Sequence, residues 1–185
     1  EFFTAILFLA VSLKFWPVIF DFVSFPTVLV AQLIIYWFIM SVLVVIAVYD
    51  LRHKIIPNGM VYAFIIASVV LAWWQKPAAC LAGIYFFAFF GFMWLVSRGK
   101  WLGFGDVKLV IGIGFMLGLT PGVSALIIAC WSGAIWGLVG MGLSKLRLGA
   151  TSLTIKSELP FAPFLIFGLL LVFFFQINVF ELFKI

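Results

Sequence analysis

Acidic side chains are rare in this chain, and two of them stand where chemistry is possible. Asp50 follows the apolar run ending Ala47, Val48, Tyr49 and opens the phrase Asp50, Leu51, Arg52, His53, Lys54, Ile55, Ile56, Pro57, Asn58. Asp106 closes Gly103, Phe104, Gly105, Asp106 and immediately precedes another apolar run. Two carboxylates within hydrogen-bond reach in a partly dry site cannot easily both ionise, so they share a proton, one acting as base and the other as acid. Such a pair can deprotonate an attacking water while protonating a peptide carbonyl, with no metal and no covalent nucleophile. Gly103 and Gly105 would let an extended strand lie close beside Asp106, where a side chain would obstruct it.

Each acid also has a plainer reading. Asp50, among Arg52, His53 and Lys54, can be an interfacial charge neutralised by its neighbours. Asp106, ahead of a helix, can be an N-cap. The other acids are Glu1, Asp21, Glu158 and Glu181. Other catalytic sets look poorer. His53 is the single histidine and has no convincing Ser or Cys partner, so it reads as an interfacial residue. Cys80 and Cys130 both lie inside apolar stretches, which excludes a disulfide framework and a four-ligand zinc site.

Something must hold these groups, and the composition says what. Of 185 residues, 67% are apolar and 9% charged, with a mean hydropathy of +1.36. A water-soluble domain is nearer half apolar and about a quarter charged. This is therefore an integral membrane protein, and at roughly 20 residues per span the length allows about eight crossings at most. Apolar runs predict seven helices: Phe2–Phe20, Val28–Tyr49, Gly59–Trp74, Ala78–Ser97, Val107–Leu119, Gly122–Leu143 and Phe161–Phe180. The absence of alternating segments argues against a β-barrel. The first run contains Lys14, which can snorkel outward. The fifth spans only about 20 Å at 1.5 Å per residue and should be buried among its neighbours. Gly114, Gly118, Gly133, Gly137 and Gly140 would let helices approach closely.

The net charge of +5 would suggest nucleic acid for a soluble protein. Here the positions of the basic residues set orientation instead, since Lys and Arg accumulate on the cytoplasmic side. Arg52, Lys54, Arg98, Lys100, Lys108, Lys145, Arg147 and Lys156 all fall in the segments 50–57, 97–108 and 144–159, whereas the alternate loops hold only Lys76. That places the N-terminus in the cytoplasm, and it places Asp50 and Asp106 at one cytoplasmic membrane surface without using the acids as evidence. A single transmembrane domain over residues 1–185 is expected, with the lipid bilayer as a partner and no nucleic acid. The chain opens at Glu1 rather than Met, as a trimmed chain or a piece of a longer one would.

The residues resemble those of the type IV prepilin peptidases, polytopic aspartic proteases of the GxGD class in bacterial inner membranes. Asp50 followed by Ile56 and Pro57 is similar to the first catalytic-Asp motif, and Gly103, Phe104, Gly105, Asp106, Val107, Lys108 fits GxGDxK. Leu159, Pro160, Phe161, Ala162, Pro163, Phe164 is similar to the family's proline-rich entry into its last helix, with Ala162 where Gly is usual. The likeness runs from about residue 42 to 168. It implies a bundle with a six-helix catalytic core plus one N-terminal helix, and Asp50 and Asp106 as the catalytic pair. Gly103, Gly105, Lys108, Ile56, Pro57, Pro160 and Pro163 are implied as positioning or motif residues, with no cofactor and no metal. The implied substrate is a prepilin or pseudopilin of a type IV pilus or type II secretion system, with a short basic leader and a hydrophobic N-terminal helix, cut at the cytoplasmic face. Longer members also N-methylate the new N-terminus through a segment with paired zinc cysteines. This chain shows no such segment, so peptidase activity alone is expected of it.

Two other readings compete. In presenilin-like or signal peptide peptidase-like proteases, which Tyr49 and Asp50 also mimic, the aspartates occupy adjacent helices, whereas here two whole spans separate them. A cation or proton transporter predicts a carboxylate near the bilayer middle and a repeat, and neither is visible. Lys108, two positions past Asp106 on a helix, points to a different face and reads as a lipid-phosphate contact.

Overall fold

The computed structural model describes residues 2–20, 27–75, 78–100, 102–146 and 160–182. Eight helices are present among them: α1 (Phe2–Phe20), α2 (Thr27–His53), α3 (Asn58–Gln75), α4 (Ala78–Ser97), α5 (Phe104–Leu117), α6 (Leu119–Leu146), α7 (Ala162–Phe175) and the single turn α8 (Val179–Leu182). No strand occurs among the described residues. The chain is an all-α membrane protein, as its composition requires. Val30–His53, Ala78–Ser97 and Leu119–Gly140 are long and apolar enough to cross a membrane, and Phe3–Phe15, Asn58–Trp74 and Ala162–Phe175 are shorter apolar helices. Lys76, Arg147 and Lys156 of the loop-charge reading lie outside the described residues, as do Glu1, Asp21, Glu158 and Leu159.

The core is made where α2, α3, α5, α6 and α7 meet, from Ile39, Leu43 and Ile46, from Val61 and Phe64, from Leu109 and Ile113, from Ala125 and Ala129, and from Leu165 and Leu169. Outward faces stay apolar, as a bilayer demands: Leu81, Ile84, Phe89, Phe92 and Leu95 of α4 are all exposed. In contrast, α5 is only 14 residues long, about 21 Å at 1.5 Å per residue, and packs chiefly against α3 and α4. Its short span is tolerable because neighbouring helices, rather than lipid, surround Val107, Leu109, Val110 and Ile113.

Several helix boundaries differ from the sequence reading; α2, for one, continues to His53 rather than ending at Tyr49. The turn between α5 and α6 falls at Gly118, whose φ of 85° suits glycine, so Thr120 and Pro121 belong to the first turn of α6 rather than to a loop. The last apolar run breaks at Gln176, a left-handed C-cap, and leaves α8 as a separate turn. The glycine contacts also shift. Gly114 lies against Gly83 and Phe86, but Gly133 has only ordinary contact with the Phe164 ring. The tightest backbone approach is elsewhere, where a side chain at Gly168 of α7 would run into the Ala125 carbonyl oxygen of α6. Lys14 fastens α1 to the bundle: its ammonium lies 3.8 Å from the Phe173 ring centroid and donates to the Phe173 carbonyl. That carbonyl is one of those a helix leaves open at its C-terminus, where a cation is also favoured by the dipole.

Candidate active site

Helical spacing turns both acids inward. Ile39, Leu43 and Ile46 form the buried stripe of α2, and four residues further on the same stripe reaches Asp50, which is 4% exposed. On α5 the same spacing links Asp106 to the buried Val110 and Ile113. Asp50 lies within the last turn of α2 rather than after the helix. The helix ends directly beyond it, with Lys54 in left-handed conformation and its N–H bonded to the Asp50 carbonyl at 2.8 Å.

The Asp50 carboxylate is held from across the bundle. The Ala162 N–H, at the first residue of α7, donates to Asp50 Oδ2 at 3.2 Å. A helix start leaves such N–H groups without partners, and an anion is welcome there. Pro163, next along and half-buried, has no N–H to leave unpaired at the helix start. The proline-rich segment thus reaches the site through a backbone amide, and Ala in place of the usual Gly at 162 supplies that amide equally well. Nothing in the sequence marked Ala162 as a contact of Asp50, because an amide carries no side-chain signal.

Asp106 is not an N-cap. Gly103 takes that place without a side-chain bond, and Asp106 stands three residues on, inside the first turn. Its carboxyl folds back over Gly103 and accepts a hydrogen bond from the Gly103 backbone N–H, as the acid of a capping box does. A side chain at Gly103 would approach Asp106 Oδ2 to 3.1 Å, and one at Gly105 would approach the Cβ of Ile56 to 2.9 Å. Both glycines are therefore sites of close approach, and Ile56 is the residue that presses the loop after α2 onto α5. Asp106 lies just ahead of the apolar segment beginning at Val107. Burial raises its pKa to about 7, with the nearby Asp50 charge adding to the rise and the Gly103 N–H opposing it. The Asp50 charge is thus near enough to be felt at Asp106.

The remaining candidates separate clearly. His53 is exposed, stacks on Tyr49 at 4.3 Å and faces the Tyr49 carbonyl through Nδ1 at 3.3 Å, so it takes no part in the acid pair. Lys108 does point away from Asp106, but its ammonium meets Asn58 Oδ1 at 2.8 Å rather than standing free for lipid. Pro57 ends the loop before α3, and Pro160 precedes α7. Cys80 and Cys130 are free thiols. Among the described residues, no three His, Cys, Asp or Glu side chains gather as a metal site would need.

The family model of the type IV leader peptidases matches residues 37–138, which include both acids and end before the Pro160 segment. The chain is also similar to the prepilin leader peptidase/N-methyltransferase of Bacillus subtilis (strain 168), with 27% identity over 140 residues, covering 72% of this chain and 52% of that one. It thus spans about half the length of this curated relative. No solved structure matches the chain.

Proposed function

The chain belongs to the type IV leader peptidase family, and from that premise we propose that it is a membrane-embedded aspartic endopeptidase acting on type IV prepilins or pseudopilins. The observation that carries this reading is the coupling of Asp106 to Asp50, with Asp50 held by the α7 amide. The pair keeps one proton between them, and Asp106 holds it up to about pH 7.

In this mechanism water loses a proton to the ionised Asp50 while its oxygen attacks the scissile carbonyl carbon. Asp106 gives its proton to the carbonyl oxygen. Collapse of the resulting diol breaks the C–N bond: Asp50 gives its newly gained proton to the departing amine while Asp106 takes a proton from a diol hydroxyl, so the pair returns to its one-proton state. Gly103 leaves room for the Asp106 carboxyl itself and Gly105 for Ile56, so the two glycines position the acid rather than opening a path for the substrate backbone as the sequence suggested. The leader is basic, the remaining chain enters the bilayer as a helix, and cleavage occurs at the cytoplasmic face of the bacterial inner membrane. The exposed Arg52, Lys54, Arg98 and Lys100 support that orientation, because the loop after α2 meets the start of α5 through Ile56 and the end of α4 meets it through Trp94. Assignment of the whole span as one peptidase domain of seven crossings follows from the same reading.

The shared proton makes the rate depend on pH in two directions. Cleavage of a purified prepilin will decline above about pH 7 as Asp106 ionises, and it will also decline in acid as the second carboxylate becomes protonated. Initial rates measured across the range in one detergent test this, and a flat profile would defeat the dyad mechanism. The curated relative's name includes methyl transfer, but we assign only cleavage to this chain. Mass spectrometry of processed pilin incubated with S-adenosylmethionine should therefore show no added methyl group.

A further inference from the structure

Gly105, Lys108 and Gly112 recur at helical spacing on one face of α5, and that face meets α3 and the loop before it. Ile56 lies where a Gly105 side chain would begin, and the Phe64 ring covers Gly112. Between these contacts the Lys108 ammonium donates to Asn58 Oδ1 at 2.8 Å and lies 4.7 Å from the ring centroids of both Tyr62 and Phe104. A hydrogen bond from a charged donor is stronger than a neutral one, and the two ring faces give the cation further attraction. The charge is turned away from the acid, because two residues along a helix rotate a side chain by about 200°.

The chain path makes this contact matter. Asp50 lies on the last turn of α2, and Asn58 begins α3 only a short loop later. Asp106 lies two residues before Lys108. Joining Asn58 to Lys108 therefore ties together the two short segments that carry the acids. We propose that Lys108 is a positioning residue, whose bond to Asn58 locks the first turn of α5 against the start of α3 and thereby fixes Asp106 relative to Asp50. This role rests on the dyad reading above.

The test is cleavage of a purified prepilin by Lys108→Met, Asn58→Ala and the double variant, with Asp50→Asn and Asp106→Asn alongside. Misplacement of reacting groups by about 1 Å costs up to about 100-fold, so each single variant should lose roughly 10- to 100-fold in kcat with KM little changed. The double variant should be no worse than the singles, since either change breaks the same tie. The pH limits of activity should stay where they are, and Lys108→Arg, which keeps a charged donor, should lose less than Lys108→Met. Full activity in Asn58→Ala, or additive losses in the double variant, would overturn the tie in favour of a lipid contact. A displaced alkaline limb in Lys108→Met would overturn it in favour of electrostatic tuning. Asn58→Ala keeps every charge in place, so it decides the matter even if Lys108→Met does not fold. Inactive Asn controls beside fully active tie variants would sink this proposal alone, whereas active Asn controls would sink the dyad itself.

Discussion

Asp50→Asn and Asp106→Asn should each reduce prepilin cleavage by on the order of 1,000-fold or more, because general acid–base transfer of this kind contributes about 10²- to 10⁴-fold and here both partners use one proton. Asn matches Asp in size, and its amide oxygen can still accept the Ala162 N–H at position 50 or the Gly103 N–H at position 106. Local structure should therefore survive while proton exchange is lost. The double variant should be no slower than either single one, as for residues that act as a unit. Stability should move the opposite way at position 106. A carboxyl whose native pKa is about 7, against 3.8 when unperturbed, favours folding most below the lower value and loses that support as pH rises through the window between them. Asp106→Asn removes this slope, so at pH 8 the variant should melt several degrees above the parent, while at pH 4 the two should melt together. Retained activity in either Asn variant would remove the basis for the mechanism.

Gly168→Ala should be the most damaging small substitution away from the acids. The added carbon would meet the Ala125 carbonyl oxygen and approach the Ala129 nitrogen to 3.1 Å. These are backbone atoms of α6, so no side-chain rotation relieves the contact and the whole helix must retreat. Overpacking of this kind costs about 1–3 kcal/mol or more, which lowers the melting temperature by roughly 2–12 °C in a chain of this size. Gly133→Ala is the matched comparison. Its new carbon would lie 3.6 Å from the Phe164 ring, at ordinary contact distance, and melting should hardly change. Thermal unfolding of both variants in one detergent checks the pair, and equal melting temperatures would refute the packing argument.

The contrast between those glycines shows what could be read before the fold was known. Gly133, Gly137 and Gly140 stand out in sequence, yet the close contact joins Gly168 to Ala125 and Ala129, whose spacing also presents small residues on one helix face. Choosing between such faces requires the neighbouring helix. The helices themselves were legible because apolar runs long enough to span a bilayer have few other fates: α1 and α4 begin and end where the composition placed them. Boundaries set by backbone torsion were harder, and the glycine turn at 118 moved the start of α6 ahead of Thr120 and Pro121. Asp50 and Asp106 were legible because each is an acid at the edge of an apolar run. The partners that hold them were not. One is the bare amide of Ala162, and Asn58, the acceptor for Lys108, is separated from it by 50 residues.

The hydrogen bond from Ala162 to Asp50 joins residues 112 apart in the chain, and it separates likeness from sufficiency. The family model's match closes at residue 138, so a polypeptide cut there would retain both acids and both glycines of the signature. It would still be without the donor that braces one carboxylate. On the proposed mechanism the smallest working unit therefore extends at least to the start of α7, beyond the end of that match.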